Sequence, residues 1–96
     1  MPKDFEISRL LDVYGGLLPE KQRLLTELYY NEDLSLSEIS ENEGITRQGA
    51  RDSIKRAEQQ LRNFEEVLKF SHKISELRSA AEKGNTDALL KLVNEL

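Results

Sequence analysis

The stretch SLSEISENEGITRQGARDSIKRAEQQLR, residues 35–62, has the pattern of two helices joined by a tight turn. Ser35 and Glu38 have the spacing of a capping box at the start of the first helix. Gly44 stands where the chain must reverse, a position that usually needs a positive φ, which glycine adopts without strain. Thr46 is a favoured N-cap residue for the second helix. The stretch therefore predicts a helix-turn-helix.

The apolar residues of this stretch support the same prediction. Leu36 and Ile39 supply the apolar face of the first helix, and Ile45 follows the glycine as the predicted plug of the turn. Along the second helix, apolar residues alternate at spacings of four and three, which predicts a seam that packs against another helix. Packing on the chain's own first helix and a dimer contact both fit this seam, and we expect a mixture of the two. The seam consists of Ala50, Ile54, Ala57, Leu61, Phe64 and Leu68.

The second helix also carries the candidate binding residues, which point away from the seam. Their side-chain types contact base edges and phosphates in protein–nucleic acid complexes. The whole chain has a net charge of −4, yet residues 46–62 hold five Lys or Arg against two Asp or Glu. A charge-rich helix can equally be a solvated face. The candidates are Arg47, Gln48, Arg51, Lys55 and Arg56.

Each candidate has a predicted role. In a DNA complex, Arg47, Gln48 and Arg51 would approach the bases in the major groove. Lys55 and Arg56 would hold phosphates. In an RNA complex the same face would meet backbone and shape, because the deep groove of A-form RNA excludes a helix. Asp52 would repel phosphate unless it pairs with Lys55 or Arg56.

Helical periodicity extends on both sides of this stretch. A first helix is predicted from Phe5 to about Leu17, although Gly15 and Gly16 disfavour its end. A second is predicted from Pro19 to about Tyr30, with Leu24, Leu25 and Leu28 facing inward. Tyr29 and Tyr30 are predicted to pack at its end, with base stacking as the alternative.

The C-terminal part has a shifted apolar pattern. Val67, Phe70, Ile74, Leu77 and Ala81 are out of phase with the seam, which predicts a break or bend near Ser71–His72. Gly84 is a predicted helix stop and Thr86 the predicted N-cap of a last helix to about Leu96. We therefore predict an all-α fold, a helix-turn-helix bundle with a long helical C-terminal extension. At 96 residues it is predicted to be one domain, with a core at 18–62 and a tail at 63–96.

The inventory of reactive residues disfavours catalysis and cofactor binding. The chain has no cysteine and a single histidine, His72, so neither a metal site nor any cofactor is expected. Gly15 and Gly16 do not form a phosphate loop, because no strand precedes them and no Lys-Ser/Thr follows. We expect a non-enzyme. No apolar run reaches the roughly 20 residues of a membrane span, so a cytoplasmic protein is expected.

Two family resemblances follow from these motifs. From Leu18 onward the chain resembles region 4 of bacterial sigma factors, through Leu18-Pro19-Glu20, the Leu34–Ile39 stretch, Gly44-Ile45 and Arg56-Ala57. Over about residues 5 to 75 it resembles the YlxM family more closely. That resemblance rests on Leu28-Tyr29-Tyr30, Ser35–Ile39, Thr46-Arg47-Gln48, Asp52–Arg56 and Asn63-Phe64-Glu65.

The YlxM resemblance implies an all-helical protein of the bacterial cytoplasm with an accessory or regulatory role in the signal recognition particle pathway. The implied partners are DNA or RNA, including the particle's RNA or its protein subunit. The alternative is a protein-interaction module that binds a partner helix along the long seam, without nucleic acid. The chain departs from the usual pattern at Ser40, Gly49 and Ala50, where alanine, alanine and a larger aliphatic residue are typical.

Overall fold

The computed structural model describes residues 1–96 and contains helices and no strand, which confirms the all-α prediction. The molecule is elongated, with principal extents of 52 × 22 × 19 Å. A short 3-10 turn at Gly15–Leu17 follows the first helix. The α-helices are α1 (Phe5–Tyr14), α2 (Glu20–Tyr30), α3 (Leu36–Glu43), α4 (Arg47–Leu68), α5 (Phe70–Glu82) and α6 (Thr86–Asn94).

The helix-turn-helix consists of α3 and the first turns of α4, and its local signals are confirmed. The Glu38 amide donates to Ser35 Oγ and the Ser35 amide donates to Glu38 Oε1, both at 3.1 Å, which is the predicted capping box. Gly44 adopts a left-handed conformation with φ of 65°. The Gly49 amide donates to Thr46 Oγ1 at 2.9 Å, so the second N-cap is also as predicted. Three short-range interactions thus set the corner between the helices.

Helix α4 bridges two hydrophobic clusters. Its first half places Ala50 and Ile54 against α2 and α3, and its second half places Ala57 and Leu61 against α1. All four side chains are 0% exposed. The predicted packing of the seam within the chain is therefore confirmed for this part of α4. Beyond it, Phe64 is half-buried and Leu68 is exposed. The residues that cover the seam are Leu25, Tyr29 and Ile39 in one cluster and Ile7, Leu10, Leu11, Tyr14 and Leu18 in the other.

Two predictions for the N-terminal half are wrong in detail. Helix α1 ends at Tyr14 rather than Leu17, because Gly15 begins a 3-10 turn. A Cβ on Gly15 would lie 3.3 Å from Leu11 Cδ1, so this glycine also permits close packing. Leu24 was expected to face inward but is 42% exposed. Its neighbour Leu25 faces the core, and adjacent helical residues point about 100° apart.

The break in the C-terminal helical region lies at Lys69, two residues before the predicted Ser71–His72, and Lys69 has a φ of 56°. The Tyr14 hydroxyl donates to Glu65 Oε1 and accepts from the Phe70 amide, both at 2.9 Å. The Ser71 amide donates to the same carboxylate oxygen at 3.1 Å. Burial, and then the bond to Glu65, raise the pKa of the Tyr14 hydroxyl. Side chains from α1 and α4 thus satisfy the first amides of α5.

Replacing Tyr14 with phenylalanine is expected to loosen the start of α5. The ring stays packed, but the Phe70 amide loses its acceptor, which costs about 1 kcal/mol. Amide hydrogen exchange at Phe70 should accelerate severalfold. Tyr29→Phe is the control, because that hydroxyl donates to the Met1 carbonyl at 2.6 Å, away from α5. Unchanged exchange at Phe70 in Tyr14→Phe would contradict the role of the hydroxyl.

The last helix is capped by Asn85 and not by Thr86. The Ala88 amide donates to Asn85 Oδ1 at 3.0 Å, and Thr86 is the first helical residue. Gly84 has a φ of 66°, as expected for a helix stop, and this turn places the asparagine at the corner. Asparagine is as good an N-cap as threonine, so the nearer residue to the turn takes the position. Helix α6 packs on α5 without burying any of its side chains.

Asp4 joins the N-terminus to α4. Its carboxylate accepts from the Glu6 amide at 3.0 Å and from Arg62 at 3.1 Å. These bonds, the amide first, lower the pKa of Asp4 below its ordinary value of 3.8. The stabilisation is therefore complete above pH 3.8 and is lost as the pH falls through the lower pKa of the folded state.

Asp4→Asn should consequently be less stable than the wild type at neutral pH, with a difference that shrinks below pH 3.8. Urea unfolding of both proteins at several pH values measures this. Asp12→Asn is the control, because Asp12 is exposed and forms no ion pair. A difference that does not depend on pH would show that the Asp4 carboxylate does not act through its charge.

Candidate nucleic-acid interface

Three of the candidate cations form a row at the start of α4. Arg47, Arg51 and Lys55 follow one another at four-residue spacing, which places them on one flank of the helix over about 12 Å. Arg47 and Lys55 are exposed and Arg51 is half-buried. The DNA major groove, about 12 Å wide, admits an α-helix that carries such a row.

Arg56 does not belong to this row. It follows Lys55 directly in the helix, so its side chain points about 100° away, toward the opposite flank. It is exposed like Lys55. The five candidates are therefore not one patch: α4 presents a row of three cations on one side and a separate cation on the other.

None of the four candidate cations forms an ion pair with a carboxylate. The ion pairs of the structure involve Lys3 with Asp33, Arg23 with Glu27, Arg62 with Asp4 and His72 with Glu76. Arg62, the remaining cation of residues 46–62, is thus already paired with the N-terminal segment. The cations at the beginning of the helix can bind an anion without first breaking an ion pair.

Gln48 and Asp52 are bonded to each other in the middle of the exposed face. Gln48 Nε2 donates to Asp52 Oδ1 at 2.8 Å. Asp52 pairs with neither Lys55 nor Arg56, the two partners that would have neutralised its repulsion of phosphate. The four-residue spacing to Gln48 favours this bond, and a carboxylate consequently lies beside the row of cations. Its charge opposes phosphate, and its free lone pairs can accept from an amino group of a base.

Helix α3 carries exposed acidic side chains, and one cation that the sequence did not indicate lies near its end. Helix α3 carries Glu38 and Glu41 as exposed side chains. Lys21 of α2 lines a shallow depression at the end of α3, together with Glu43 and Leu24. Lys21 is 26 residues before Arg47 in the chain, so only the packing of α2 against α3 shows that it lies near the turn.

Tyr29 and Tyr30 are packing residues, as predicted. Tyr29 is 6% exposed, and the two rings pack edge to face with centroids 5.2 Å apart. The Tyr30 hydroxyl donates to the buried carboxylate of Glu58 and accepts from the Asp4 amide. Burial, and then the bond to Glu58, raise the pKa of Tyr30.

The three departures from the usual pattern have different consequences. The Ser40 hydroxyl donates to the Ser37 carbonyl at 2.8 Å, so it is satisfied within α3. Ala50 is completely buried between α4 and its neighbours. A Cβ on Gly49 would lie 3.0 Å from Thr46 Oγ1, so glycine here leaves room for the capping hydroxyl.

No helix of the protein combines the length and the apolar character needed to cross a bilayer.

The family model "UPF0122: Putative helix-turn-helix protein, YlxM / p13 like" matches residues 1–94. A UPF0122 protein of Clostridium perfringens strain SM101 is 53% identical over 74 residues, covering 77% of this chain and 66% of that protein. The UPF0122 protein of Desulforamulus reducens is 52% identical over 75 residues, covering 77% and 64%.

A third UPF0122 protein, from Caldanaerobacter subterraneus subsp. tengcongensis, is 48% identical over 84 residues, covering 86% of this chain and 72% of that protein. The chain thus spans just under two thirds of the first two relatives. The match over nearly the whole chain confirms the YlxM resemblance. The chain belongs to the UPF0122 family of YlxM/p13-like helix-turn-helix proteins.

Proposed function

We propose that this protein binds nucleic acid through the exposed face at the start of α4. The observation that carries the proposal is the row of Arg47, Arg51 and Lys55, three cations outside any ion pair in a chain of net charge −4. Clustered cations on an acidic chain provide a local attraction for a polyanion. The role is one of binding and regulation and not of catalysis, which the helix-turn-helix family favours.

Duplex DNA is the polymer that suits the geometry of a free helix face. The first turns of α4 would enter the major groove, with Arg47, Gln48 and Arg51 toward the bases and Lys55 toward a phosphate. Arg56, on the other flank, would reach the opposite strand's backbone. Double-stranded RNA would be bound more shallowly, by the same cations along the backbone.

The accessory role in the signal recognition particle pathway rests on the YlxM resemblance. We propose the particle's RNA as the RNA target in that case. Its test is selectivity: the particle's RNA should bind more tightly than an unrelated hairpin RNA of equal length and charge. Equal affinities would leave general polyanion binding and remove the particle-specific role.

The experiment for the main proposal is a titration of the full chain with labelled 25-base-pair DNA, the particle's RNA and the unrelated hairpin, at 50 and 200 mM salt. Two neutralised phosphates, at Lys55 and Arg56, give a log–log salt slope of about −2 for DNA. Affinity should therefore fall by roughly tenfold or more over this range. Binding that is absent for all three polymers, or insensitive to salt, would refute the proposal.

The alternative, a module that binds a partner helix along the seam of α4, loses most of its surface. The seam from Ala50 to Leu61 is completely buried by the chain's own helices.

The single-domain organisation is also a proposal. Because α1 packs on the same helix that forms the helix-turn-helix, we expect one cooperative unfolding transition for both.

A further inference from the structure

Helix α5 carries an apolar stripe that the fold leaves uncovered. The stripe has the four-three-four spacing that places side chains on one face of a helix, and none of its members is buried. Phe70 is 46% exposed and Ile74 is 40% exposed. A surface helix normally turns such a stripe to the core. The members are Phe70, Ile74, Leu77 and Ala81, and we call them the α5 stripe.

Neighbouring helices flank the stripe without covering it. On one side, α1 and α5 enclose a groove of 150 Å³ that is lined by Arg9, Val13 and Arg78 among others. On the other side, α6 packs against the part of α5 that contains Ala80, the one buried residue of this helix. Ile74 of the stripe also lines the groove beside α1 and Leu77 is half-buried, but Phe70 and Ile74 keep much of their surface exposed to solvent.

The rim of the stripe is cationic. Arg9 and Arg78 lie on the α1 side, and Lys73 Nζ lies 5.9 Å from the centroid of the Phe70 ring. None of these three cations forms an ion pair. Residues 69–83 hold four Lys or Arg against two Asp or Glu. Asp12 is the one carboxylate in the groove between α1 and α5.

We propose that the α5 stripe binds an amphipathic helix with acidic flanks, supplied by a protein partner. Apolar side chains of that helix, at spacings of three and four, would cover Phe70 and Ile74. Its carboxylates would meet Lys73 on one side and Arg9 and Arg78 on the other. This surface lies on a different helix from the nucleic-acid face, so the proposal is independent of the proposed function.

Charge favours such a partner over a second copy of the chain. A two-fold contact through α5 would place the same patch against itself. The cationic rims of the two copies, each with Lys73 and Arg78, would then face one another and repel. A contact between the α5 stripe and the acidic N-terminal part of another copy would be head-to-tail, which forms open chains unless the rotation closes. An acidic helix from a partner would neither repel the cationic rim nor form open chains.

The test uses the full chain and a fluorescein-labelled helical peptide of about 18 residues, with leucines on one face and glutamates on both flanks. One control peptide has lysine in place of every glutamate, and another has the same composition in scrambled order. Fluorescence anisotropy at 50 mM salt should show at least tenfold tighter binding of the acidic peptide than of either control. Equal binding of the acidic and the lysine peptides, or no binding below 100 µM (a threshold of about −5.5 kcal/mol), would overturn the proposal.

Variants locate the surface. Ile74→Asp should weaken binding of the acidic peptide at least tenfold, and the double variant Lys73→Glu and Arg78→Glu should shift the preference to the lysine peptide. The controls are Phe5→Ser, which changes a side chain that is 83% exposed on α1, and Lys21→Glu on α2. Both should bind the acidic peptide as the wild type does. Circular dichroism confirms that each variant is folded.

Sedimentation of the same proteins tests whether a second copy of the chain, and not a different partner, covers the α5 stripe. The wild type should be monomeric without peptide. A wild-type dimer that Ile74→Asp dissociates would identify another copy as the occupant and overturn the proposal. Binding of DNA by Ile74→Asp should equal that of the wild type, so that failure of this surface is distinguishable from failure of the nucleic-acid face.

Discussion

Replacement of Arg47, Arg51 and Lys55 together by alanine is expected to weaken binding to duplex DNA at least a hundredfold at 50 mM salt. Each cation that neutralises a phosphate contributes about 0.9 to the salt slope, and Lys55 is the phosphate contact of this row, so the slope should fall by about 0.9. Between 50 and 200 mM salt the wild type should therefore lose roughly three- to fourfold more affinity than the variant does. Adding Arg56→Ala should remove the remaining binding.

The variant is expected to fold, because all three side chains lie outside the hydrophobic clusters and alanine is the best helix former. The matched control removes the same charge elsewhere, by alanine at Lys73 and Arg78 of α5 and Lys91 of α6. If net charge alone attracted the polymer, both triple variants would lose the same affinity. That result would contradict a defined interface on α4.

Arg56 provides a further test of the geometry. Because it lies on the opposite flank of the helix from the row, Arg56→Ala alone should reduce the salt slope by about one and leave any sequence preference unchanged. Arg51→Ala should instead reduce the sequence preference and leave the salt slope unchanged, since a base contact is expected from this residue. Competition with duplexes of altered sequence separates the two effects.

The parts of the fold that the sequence predicted are those set by short-range interactions. Ser35 with Glu38, the positive φ of Gly44 and the Thr46 cap each involve residues within three positions of one another. The pairing of Arg62 with Asp4 joins residues 58 apart in the chain, so no local pattern indicates it. This pair explains why one of five cations in the basic stretch is not available for a ligand.

The break between α4 and α5 was also predicted only in part. The phase shift of the apolar residues predicted a break, but its position at Lys69 follows from contacts with Tyr14 and Glu65. The candidate site was likewise predicted only in part. Composition and spacing predicted which residues are exposed on α4, whereas the bond between Gln48 and Asp52 and the proximity of Lys21 to the turn required the packed structure.

Leu61→Ala tests whether the seam of α4 belongs to the core of the chain or is a surface for a partner. Leu61 is 0% exposed against α1, so truncation removes apolar contacts and leaves a cavity, at a cost of about 2–5 kcal/mol. Small domains have a total stability of only about 5–15 kcal/mol, so urea unfolding should show a much lower midpoint. The slope of the transition should not change, because the same surface becomes exposed.

Val67→Ala is the matched control in the same helix. Val67 is 79% exposed, so its truncation should change the free energy of unfolding by less than about 0.5 kcal/mol. If Leu61→Ala were equally neutral, the seam would not be the core of the chain. Its burial would then have to come from another molecule, and α1 would not hold the second half of α4. A large loss for Leu61→Ala with none for Val67→Ala shows instead that the seam is used within the chain.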